Sequence, residues 1–206
     1  MNNIDLSINT VTYNSENEIK NWVESVSATV KKYSFELIIS DNSPTDATEK
    51  VVLSLEKKFP NIIYIKNNEN LGFSKGNNIG IKKSSGEYIL FLNPDVEVEE
   101  GAIDGIISFL KENPDAGSAT PAVYLPNGSL DDSCHRGFPT PSRAFCHFSG
   151  LSRTFPRIKF FAGYNMTYLD LSRKHEVDSL AGSFFPISRK LGNKLGWWDE
   201  AYFFYG

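Results

Sequence analysis

Residues 35–43, Phe-Glu-Leu-Ile-Ile-Ser-Asp-Asn-Ser, join a short apolar run to an abrupt polar end. A run of this length, rich in Ile and Leu, is typical of a buried β-strand. Similar runs lie at 4–13, 62–66 and 87–92, and each strand is followed by a segment with apolar residues at helical spacing. Four strand–helix units in a row predict an α/β fold with a mostly parallel sheet and helices on both faces.

Several helix boundaries follow from local signals. Asn14-Ser15 is expected to cap the first helix, and Asp46 with Glu49 resembles the capping box of the second. The third helix is expected over residues 74–83. Residues 126–176 show no periodic pattern, so no element is predicted there.

The polar residues just after each strand are the candidate site, because ligands of parallel sheets bind beyond the carboxyl ends of the strands. No glycine-rich dinucleotide motif or P-loop follows the first strand, which disfavours hydride transfer and P-loop hydrolysis. The candidate nucleotide-binding residues are Thr12, Tyr13, Asn14, Asp41, Asn42, Gly72, Phe73, Asn77, Asn93 and Asp95.

Three of these residues suit a nucleotide held by side chains. Tyr13 offers a ring on which a base can stack, and Asp41 offers an acceptor for the N3–H donor of a pyrimidine. Asp95 is the candidate ligand of a divalent cation that also binds a diphosphate. The alternatives stay open: Tyr13 packs against the protein, Asp41 caps the turn that follows it, and Asp95 caps a helix or turn.

Glycines recur every four residues at Gly72, Gly76 and Gly80 in the third strand–helix unit. Glycine within a helix lowers stability by about 0.5–1 kcal/mol relative to alanine, so the glycines at these positions need a structural or functional explanation. Close packing of the helix on the sheet and close approach of a ligand are the two interpretations.

Five motifs in order and spacing resemble one known family. They are residues 11–14 (Val-Thr-Tyr-Asn), 41–46 (Asp-Asn-Ser-Pro-Thr-Asp), 70–78 (Asn-Leu-Gly-Phe-Ser-Lys-Gly-Asn-Asn), 92–95 (Leu-Asn-Pro-Asp), and 177–206, which contains Gly-Trp-Trp-Asp-Glu and Phe-Phe-Tyr-Gly. The chain resembles family 2 glycosyltransferases of the GT-A fold, particularly the branch with bacterial rhamnosyltransferases. The resemblance covers about residues 4–125 and 177–206.

The resemblance implies an inverting glycosyltransferase that moves a sugar, with rhamnose as the first expectation, from a pyrimidine nucleotide-diphosphate donor. The acceptor would be a polysaccharide or a lipid-linked glycan. A divalent cation, Mg²⁺ or Mn²⁺, would be the cofactor, and Asp95 its charged ligand, because Asn93 stands where the family's D-x-D element has its first acid. Asp178, Gly182 and Trp198 would lie on the acceptor side.

The family's general base is an Asp in an acidic pair after an aromatic-Tyr-Gly segment, which here would follow Gly206. The resemblance therefore implies that this chain binds the donor but transfers sugar poorly. Asp199 and Glu200 are the nearest acids and the candidate catalytic residues. Two alternatives stay open: a nucleotide-sugar binding module without turnover, and a sugar nucleotidyltransferase, which normally has a glycine-rich basic loop after its first strand.

Composition and charge restrict location and partners. The chain has 206 residues and two cysteines, so one domain without a disulfide framework is expected. We expect a donor-binding half at 1–125 and an acceptor-side half at 126–206, truncated at its C-terminal end. The N-terminus lacks the pattern of a signal peptide, which predicts a cytoplasmic protein. Residues 1–120 have a net charge of −7, which argues against nucleic acid as a partner.

The segment 136–161 alternates basic and phenylalanine residues. This pattern suits contact with the inner face of a membrane or with an anionic lipid-linked acceptor. The other interpretation is a long loop that packs its phenylalanines under the edge of the sheet.

Overall fold

The computed structural model describes residues 4–131, 133–171 and 173–204. Its elements, numbered in chain order, are β1 (Leu6–Thr12), α1 (Ile19–Thr29), β2 (Phe35–Asp41), α2 (Ala47–Glu56), β3 (Ile62–Lys66), α3 (Gly72–Lys83), β4 (Tyr88–Leu92), α4 (Ala102–Glu112), β5 (His135–Arg136), α5 (Pro141–Phe148), α6 (Leu151–Thr154), α7 (Lys159–Ala162), β6 (Ser179–Leu180), β7 (Phe184–Ser188) and α8 (Arg189–Leu195).

The central sheet has five strands in the order β3-β2-β1-β4-β7. The first four are parallel, and β7 runs antiparallel to β4 at the edge. The predicted mostly parallel sheet is confirmed. Strand β7 was not predicted. It contains Pro186, and its place at the edge of the sheet tolerates a residue that cannot donate a ladder hydrogen bond.

Alternation along the strands divides the core between the two faces of the sheet. Leu6 and Ile8 join a large apolar cluster with residues of α1, α2 and α4. Ile89 and Phe91 of β4 point to the opposite face and pack with Ile81 of α3 and with residues near α8. The predicted helices on both faces are therefore confirmed.

Neither predicted helix cap makes a capping hydrogen bond, although Asp46 does occupy the N-cap position of α2. Helix α1 begins only at Ile19, and Glu18 in the cap position makes no capping hydrogen bond through its side chain. Asp46 precedes α2 without a side-chain cap bond, and its carboxylate instead lies 3.9 Å from Lys66 Nζ. In the second case, a cation on a neighbouring strand competes with the helix N-terminus for the carboxylate.

The chain forms two compact units, one of residues 4–119 with 183–204 and one of residues 120–182. The expected division lay at 125, but β7 pairs with β4, so residues 183–204 belong to the unit with the sheet. The second unit contains the β5–β6 pair and helices α5, α6 and α7, where no element was predicted. Within the described residues, no helix combines the length and apolar character needed to cross a bilayer.

Candidate functional site

The carboxyl edge of the sheet has a topological switch point between β1 and β4. The chain proceeds from β1 to β2 and β3 on one side, whereas β4 lies on the other side of β1. Crevices at such points are the usual ligand sites of open α/β sheets. Tyr13 follows β1 and Asn93 follows β4, so the predicted residues of these two loops flank the switch point.

Asp41 is the centre of a hydrogen-bond network at this edge. Its Oδ1 accepts hydrogen bonds from Thr12 Oγ1 at 2.9 Å and from the Ser43 amide at 3.0 Å. Its Oδ2 accepts hydrogen bonds from the Tyr64 hydroxyl at 2.6 Å and from Lys66 Nζ at 3.3 Å. Asp41 is fully buried, and through Ser43 it caps the following turn, which was one of the two interpretations of this residue.

The network also decides how Asp41 ionises. Burial acts to raise the pKa of Asp41, but hydrogen bonds from Ser43, Tyr64 and Thr12 outweigh it and hold the pKa below its ordinary value. Burial and then the Asp41 carboxylate raise the pKa of Tyr64 well above its usual range. Tyr64 therefore remains a hydrogen-bond donor, and Asp41 remains an anion.

Tyr13 and Asn14 occupy the loop after β1. The Asn14 amide donates to Ser43 Oγ at 2.8 Å, and the Tyr13 amide donates to Ser15 Oγ at 3.3 Å. Asn14 has a φ of 54°, in the left-handed region that asparagine tolerates better than most residues. This backbone is anchored while the Tyr13 side chain is 51% exposed, so its ring is available to a ligand.

Asn42 organises the loop that precedes α3. Its Nδ2 donates to the Gly72 carbonyl at 3.1 Å, and its Oδ1 accepts from Asn67 Nδ2 at 2.9 Å. The Gly72 amide in turn donates to Asn70 Oδ1 at 3.1 Å. The buried Asn42 amide therefore holds the loop in place.

Gly72 and Phe73, at the start of α3, contact the last described part of the chain. The Phe73 amide donates to the Phe203 carbonyl at 2.7 Å. Gly72 has a φ of +77°, and a Cβ there would overlap the same carbonyl. Glycine is therefore required at position 72 for both conformation and space. Tyr205 and Gly206, which belong to the last motif, lie outside the described residues.

Asn77 faces the sheet. It is 1% exposed, its Oδ1 accepts from Asn9 Nδ2 at 2.6 Å, and its Nδ2 donates to the Phe73 carbonyl at 3.0 Å. On the same side of α3, a Cβ at Gly80 would overlap the Asn9 side chain. The structure thus gives Gly80 the close helix–sheet packing that was one of the two interpretations of the recurring glycines, and Asn77 is buried in the same contact.

Asn93 and Asp95 lie after β4. The Asn93 amide donates to the Ser183 carbonyl at 3.0 Å, which connects this loop to the residues before β7, and Asp95 is exposed. Among the residues that the structure describes, no group of three or more His, Cys, Asp or Glu side chains could hold a metal ion. Asp95 nevertheless fits Mg²⁺ or Mn²⁺ bound together with a diphosphate, because such ions need only one or two protein carboxylates.

Of the two candidate catalytic residues, Glu200 is held against α3. Asn78 Nδ2 donates to Glu200 Oε1 at 2.9 Å and to the Trp198 carbonyl at 2.8 Å. Asn78 is six residues into the helix, so Glu200 lies about 9 Å along the axis from the end near the strand termini. Asp199 Oδ1 accepts from the Ala201 amide at 2.9 Å.

Trp198, expected on the acceptor side, packs its ring in an aromatic cluster. Its centroid lies 5.1 Å from that of Phe73 and 5.1 Å from that of Phe91, both in edge-to-face geometry. Such pairs contribute about 0.5–1.5 kcal/mol beyond their buried area. The ring therefore stabilises the face of the sheet that α3 covers.

The other two residues expected on the acceptor side belong to the second unit. Asp178 Oδ2 accepts from Arg143 Nη1 at 2.7 Å and from the Phe138 amide at 3.0 Å, and these bonds lower the pKa of Asp178. Gly182 lies in a turn. This unit also has an open cleft of about 790 Å³, bordered by polar and aromatic residues that include His147 and Tyr164.

Tyr64 and Lys66 were not predicted as partners of Asp41. Tyr64 and Lys66 are two positions apart in β3, so their side chains point to the same face of the sheet. Lys66 is also the register partner of Asp41. Polar residues at every second position near the end of an apolar strand could have indicated these partners.

The chain is similar to curated proteins over most of its length. It is 26% identical to the N-acetylglucosaminyl-diphospho-decaprenol L-rhamnosyltransferase of Mycobacterium tuberculosis, across 97% of this chain and 66% of that protein. It is 27% identical to the low-salt glycan biosynthesis hexosyltransferase Agl10 of Haloferax volcanii, across 98% of this chain and 58% of that protein. The chain thus spans about two thirds or less of the length of these two relatives.

Solved structures share the fold. The mannosyltransferase of Pyrobaculum calidifontis, in complex with GDP-Man and Mn²⁺, matches with a TM-score of 0.67 at 15% identity, over 96% of this chain and 48% of that one. Residues 1–349 of TarS from S. aureus, in complex with UDP-GlcNAc, match with a TM-score of 0.54 at 21% identity, over 64% and 38%. These neighbours confirm the predicted GT-A fold. The glycosyl transferase family 2 model matches residues 7–194, so the chain belongs to glycosyl transferase family 2, as its motifs predicted.

Proposed function

We propose that this chain is the donor-binding part of a glycosyltransferase whose nucleotide-diphosphate sugar lies at the switch point between β1 and β4. The observation that carries the proposal is the pair of exposed side chains Tyr13 and Asp95, which follow the two strands that flank this point. One offers a stacking surface and the other a carboxylate, the two groups that a nucleoside and a cation-bound diphosphate require.

For the nucleoside, we propose a pyrimidine stacked on Tyr13, with Thr12, Asn14 and Asn42 holding the surrounding loops. Asp41 is the proposed acceptor for the base N3–H. Both of its oxygens already accept hydrogen bonds, so direct contact with the base requires a donor to leave. Lys66 is the candidate, because its 3.3 Å bond is the longer of the two to Oδ2.

For the diphosphate, Asp95 would hold a divalent cation, with phosphate oxygens and water as the other ligands. When bound, such a cation stabilises the charge that develops on the leaving diphosphate. Asn93 positions this loop through its backbone bond to Ser183.

The proposed reaction is an inverting transfer. A hydroxyl oxygen of the acceptor bonds to the anomeric carbon from the face opposite the diphosphate, and the bond from that carbon to the diphosphate oxygen breaks. The nucleoside diphosphate leaves with the electron pair, and a carboxylate base takes the hydroxyl proton.

For substrates, we propose rhamnose on a thymidine or uridine diphosphate as donor, and a polysaccharide or lipid-linked glycan as acceptor. The Mycobacterium relative, whose name specifies rhamnose and a lipid diphosphate, supports both parts. An acceptor of this kind favours a protein on the cytoplasmic side of a membrane, in contact with its inner face. We retain Asp178, Gly182 and Trp198 as acceptor-side candidates, and Asp199 and Glu200 as candidates for the catalytic carboxylate.

Thermal unfolding with dTDP, UDP, GDP, ADP and NAD, each with and without Mn²⁺, tests the donor site. A nucleotide at about 100 times its Kd adds about 2.7 kcal/mol, which for a chain of this size raises Tm by about 5–10 °C. We expect stabilisation by dTDP or UDP that increases with Mn²⁺. The Asp95→Asn variant should lose the Mn²⁺-dependent part, whereas the control variant Glu97→Gln, at another exposed acid, should keep it.

The proposed site is wrong if ADP or NAD stabilises the chain as strongly as dTDP and UDP, or if no nucleotide stabilises it. Release of nucleoside diphosphate from a dTDP-sugar or UDP-sugar then separates an enzyme from a binding module. Binding without any hydrolysis or transfer would favour the binding module. A sugar nucleotidyltransferase would instead form a nucleotide-sugar from a nucleoside triphosphate and a sugar phosphate.

A further inference from the structure

Helices α5, α6 and α7 of the second unit bury small side chains and expose large apolar ones. Their buried residues are Cys146, Ser152 and Ala162. The most exposed phenylalanines in and next to these helices are Phe138 at 62%, Phe145 at 66%, Phe148 at 86% and Phe160 at 67%, and Phe155 is exposed to a smaller extent, at 41%. Large exposed apolar surfaces of this kind mark sites of contact with another protein or a membrane.

These exposures decide against the packed-loop interpretation for the four phenylalanines, which we call the aromatic patch. Phe145 and Phe148 are three residues apart on α5, so they project from one face of that helix. Phe155 and Phe161 do pack, against each other, with ring centroids 5.1 Å apart. Phe160 of the patch packs edge-to-face on Phe161, with ring centroids 5.2 Å apart, and so connects the patch to this pair.

The charge around the aromatic patch has one sign. Residues 136–162 contain five basic side chains and no Asp or Glu, although the whole chain has a net charge of −4. Arg143 forms an ion pair with Asp178 of the same unit at 2.7 Å. Arg153 and Arg157 are exposed, and no carboxylate of the described residues lies within 4 Å of either guanidinium.

Exposed aromatic rings surrounded by positive charge favour an anionic bilayer surface over other partners. A symmetric contact with a second copy of this chain would place this positive surface against itself, because the patch region has no acid. Helices of four to eight residues are too short to span a bilayer, which requires about 20 residues. Short helices with aromatic residues and basic neighbours instead lie in the interface between lipid headgroups and acyl chains.

We propose that the second unit docks on anionic lipid through the aromatic patch. Phe145 and Phe148 enter the interface, and Arg153, Arg157 and Lys159 bind the headgroups. This inference goes beyond the donor site and does not depend on it. Docking of this kind would bring the chain to an acceptor anchored in lipid.

Vesicle flotation of the full chain tests the proposal. We expect co-flotation with vesicles of phosphatidylcholine containing about 30% phosphatidylglycerol, weakening as salt rises above about 0.1 M, and little with phosphatidylcholine alone. The double variant Phe145→Ser with Phe148→Ser should lower the partition coefficient at least tenfold. The control variant Leu53→Ser with Leu195→Ser, at two exposed leucines outside the second unit, should leave it unchanged.

A second pair of variants tests the charge. Each basic residue near an anionic surface contributes about a fivefold change in partition, so Arg153→Gln with Arg157→Gln should lower it about 25-fold. The control Lys20→Gln with Lys50→Gln changes the net charge equally, at exposed positions in the sheet unit. Thermal unfolding with and without dTDP shows whether each variant keeps its fold and its nucleotide response.

Three outcomes would overturn the proposal: equal flotation with anionic and neutral vesicles, no flotation with either, or equal losses in the patch and control variants. Light scattering on a sizing column tests the alternative that the patch binds a second copy of this chain. If the phenylalanine variant changes the oligomeric state and not the flotation, the patch binds a second copy and the lipid proposal is wrong. Failure of nucleotide binding with intact flotation would instead count against the donor site alone.

Discussion

Thr12 Oγ1 donates a 2.9 Å hydrogen bond to Asp41 Oδ1, and the same two residues are register partners at the ends of β1 and β2. Both side chains are buried. The bond therefore connects two strand ends inside the protein, beside the loop that carries Tyr13. We expect Asp41 to stabilise this edge of the sheet, and to support the nucleotide site by holding that edge in place.

Replacing Asp41 by Asn should destabilise the fold by about 2–4 kcal/mol. The variant keeps the size of the side chain but replaces one carboxylate oxygen, an acceptor, by an NH₂ group, a donor. That NH₂ group would face a hydroxyl that donates in the parent chain, from Tyr64 or Thr12. Urea denaturation at pH 7 measures the change. The control Asp46→Asn removes an exposed carboxylate near the same Lys66 and should stay within about 0.5 kcal/mol.

Acid should weaken the fold partly through Asp41. Its pKa in the folded chain lies below the ordinary value of about 3.9. Its ionised form therefore stabilises the fold above about pH 4, and this stabilisation is lost as pH falls through the lower folded value. Denaturation at a series of pH values from about 7 to 3 should show a smaller acid loss in Asp41→Asn than in the parent chain. Parallel curves would contradict the assignment.

Substitutions at two helical glycines should have opposite effects. A Cβ at Gly80 would overlap Asn9, so Gly80→Ala should separate α3 from the sheet at a cost of about 1–3 kcal/mol. A Cβ at Gly105 of α4 meets nothing within 4 Å, so Gly105→Ala should stabilise by about 0.5–1 kcal/mol. Chemical denaturation of both variants compares them directly, and equal effects would argue against close packing of α3.

Tyr13→Ala should weaken nucleotide binding about tenfold or more, since stacking of one base on an aromatic ring contributes about 1–3 kcal/mol. Stability without nucleotide should change little, because the ring is half exposed. Calorimetric titration with dTDP or UDP measures the affinity. Tyr124→Ala, at an exposed tyrosine of the second unit, is the matched control. If both variants bind as the parent chain does, the base does not stack on Tyr13.

The fold was largely predictable because its first half consists of short buried strands and amphipathic helices. The almost continuous burial of β1 and the 3–4 spacing of Ile19, Trp22, Val23 and Val26 in α1 follow from local properties of the sequence. The helices of the second unit have only four to eight residues, too few for a period to emerge. Strand β7 was missed because its place is decided by pairing with β4, about a hundred residues earlier in the chain.

In the candidate site, too, some features follow from the sequence alone and others only from the tertiary structure. By itself, the sequence determined which residues end each strand, and those motifs were enough to identify the family. Only the tertiary structure decided which of them face outward: Tyr13 and Asp95 are exposed, whereas Asp41, Asn42 and Asn77 are buried among partners from other elements. Burial at a strand end depends on neighbours such as Tyr64 and Asn9, which are distant in sequence and meet these residues only when the sheet and α3 assemble.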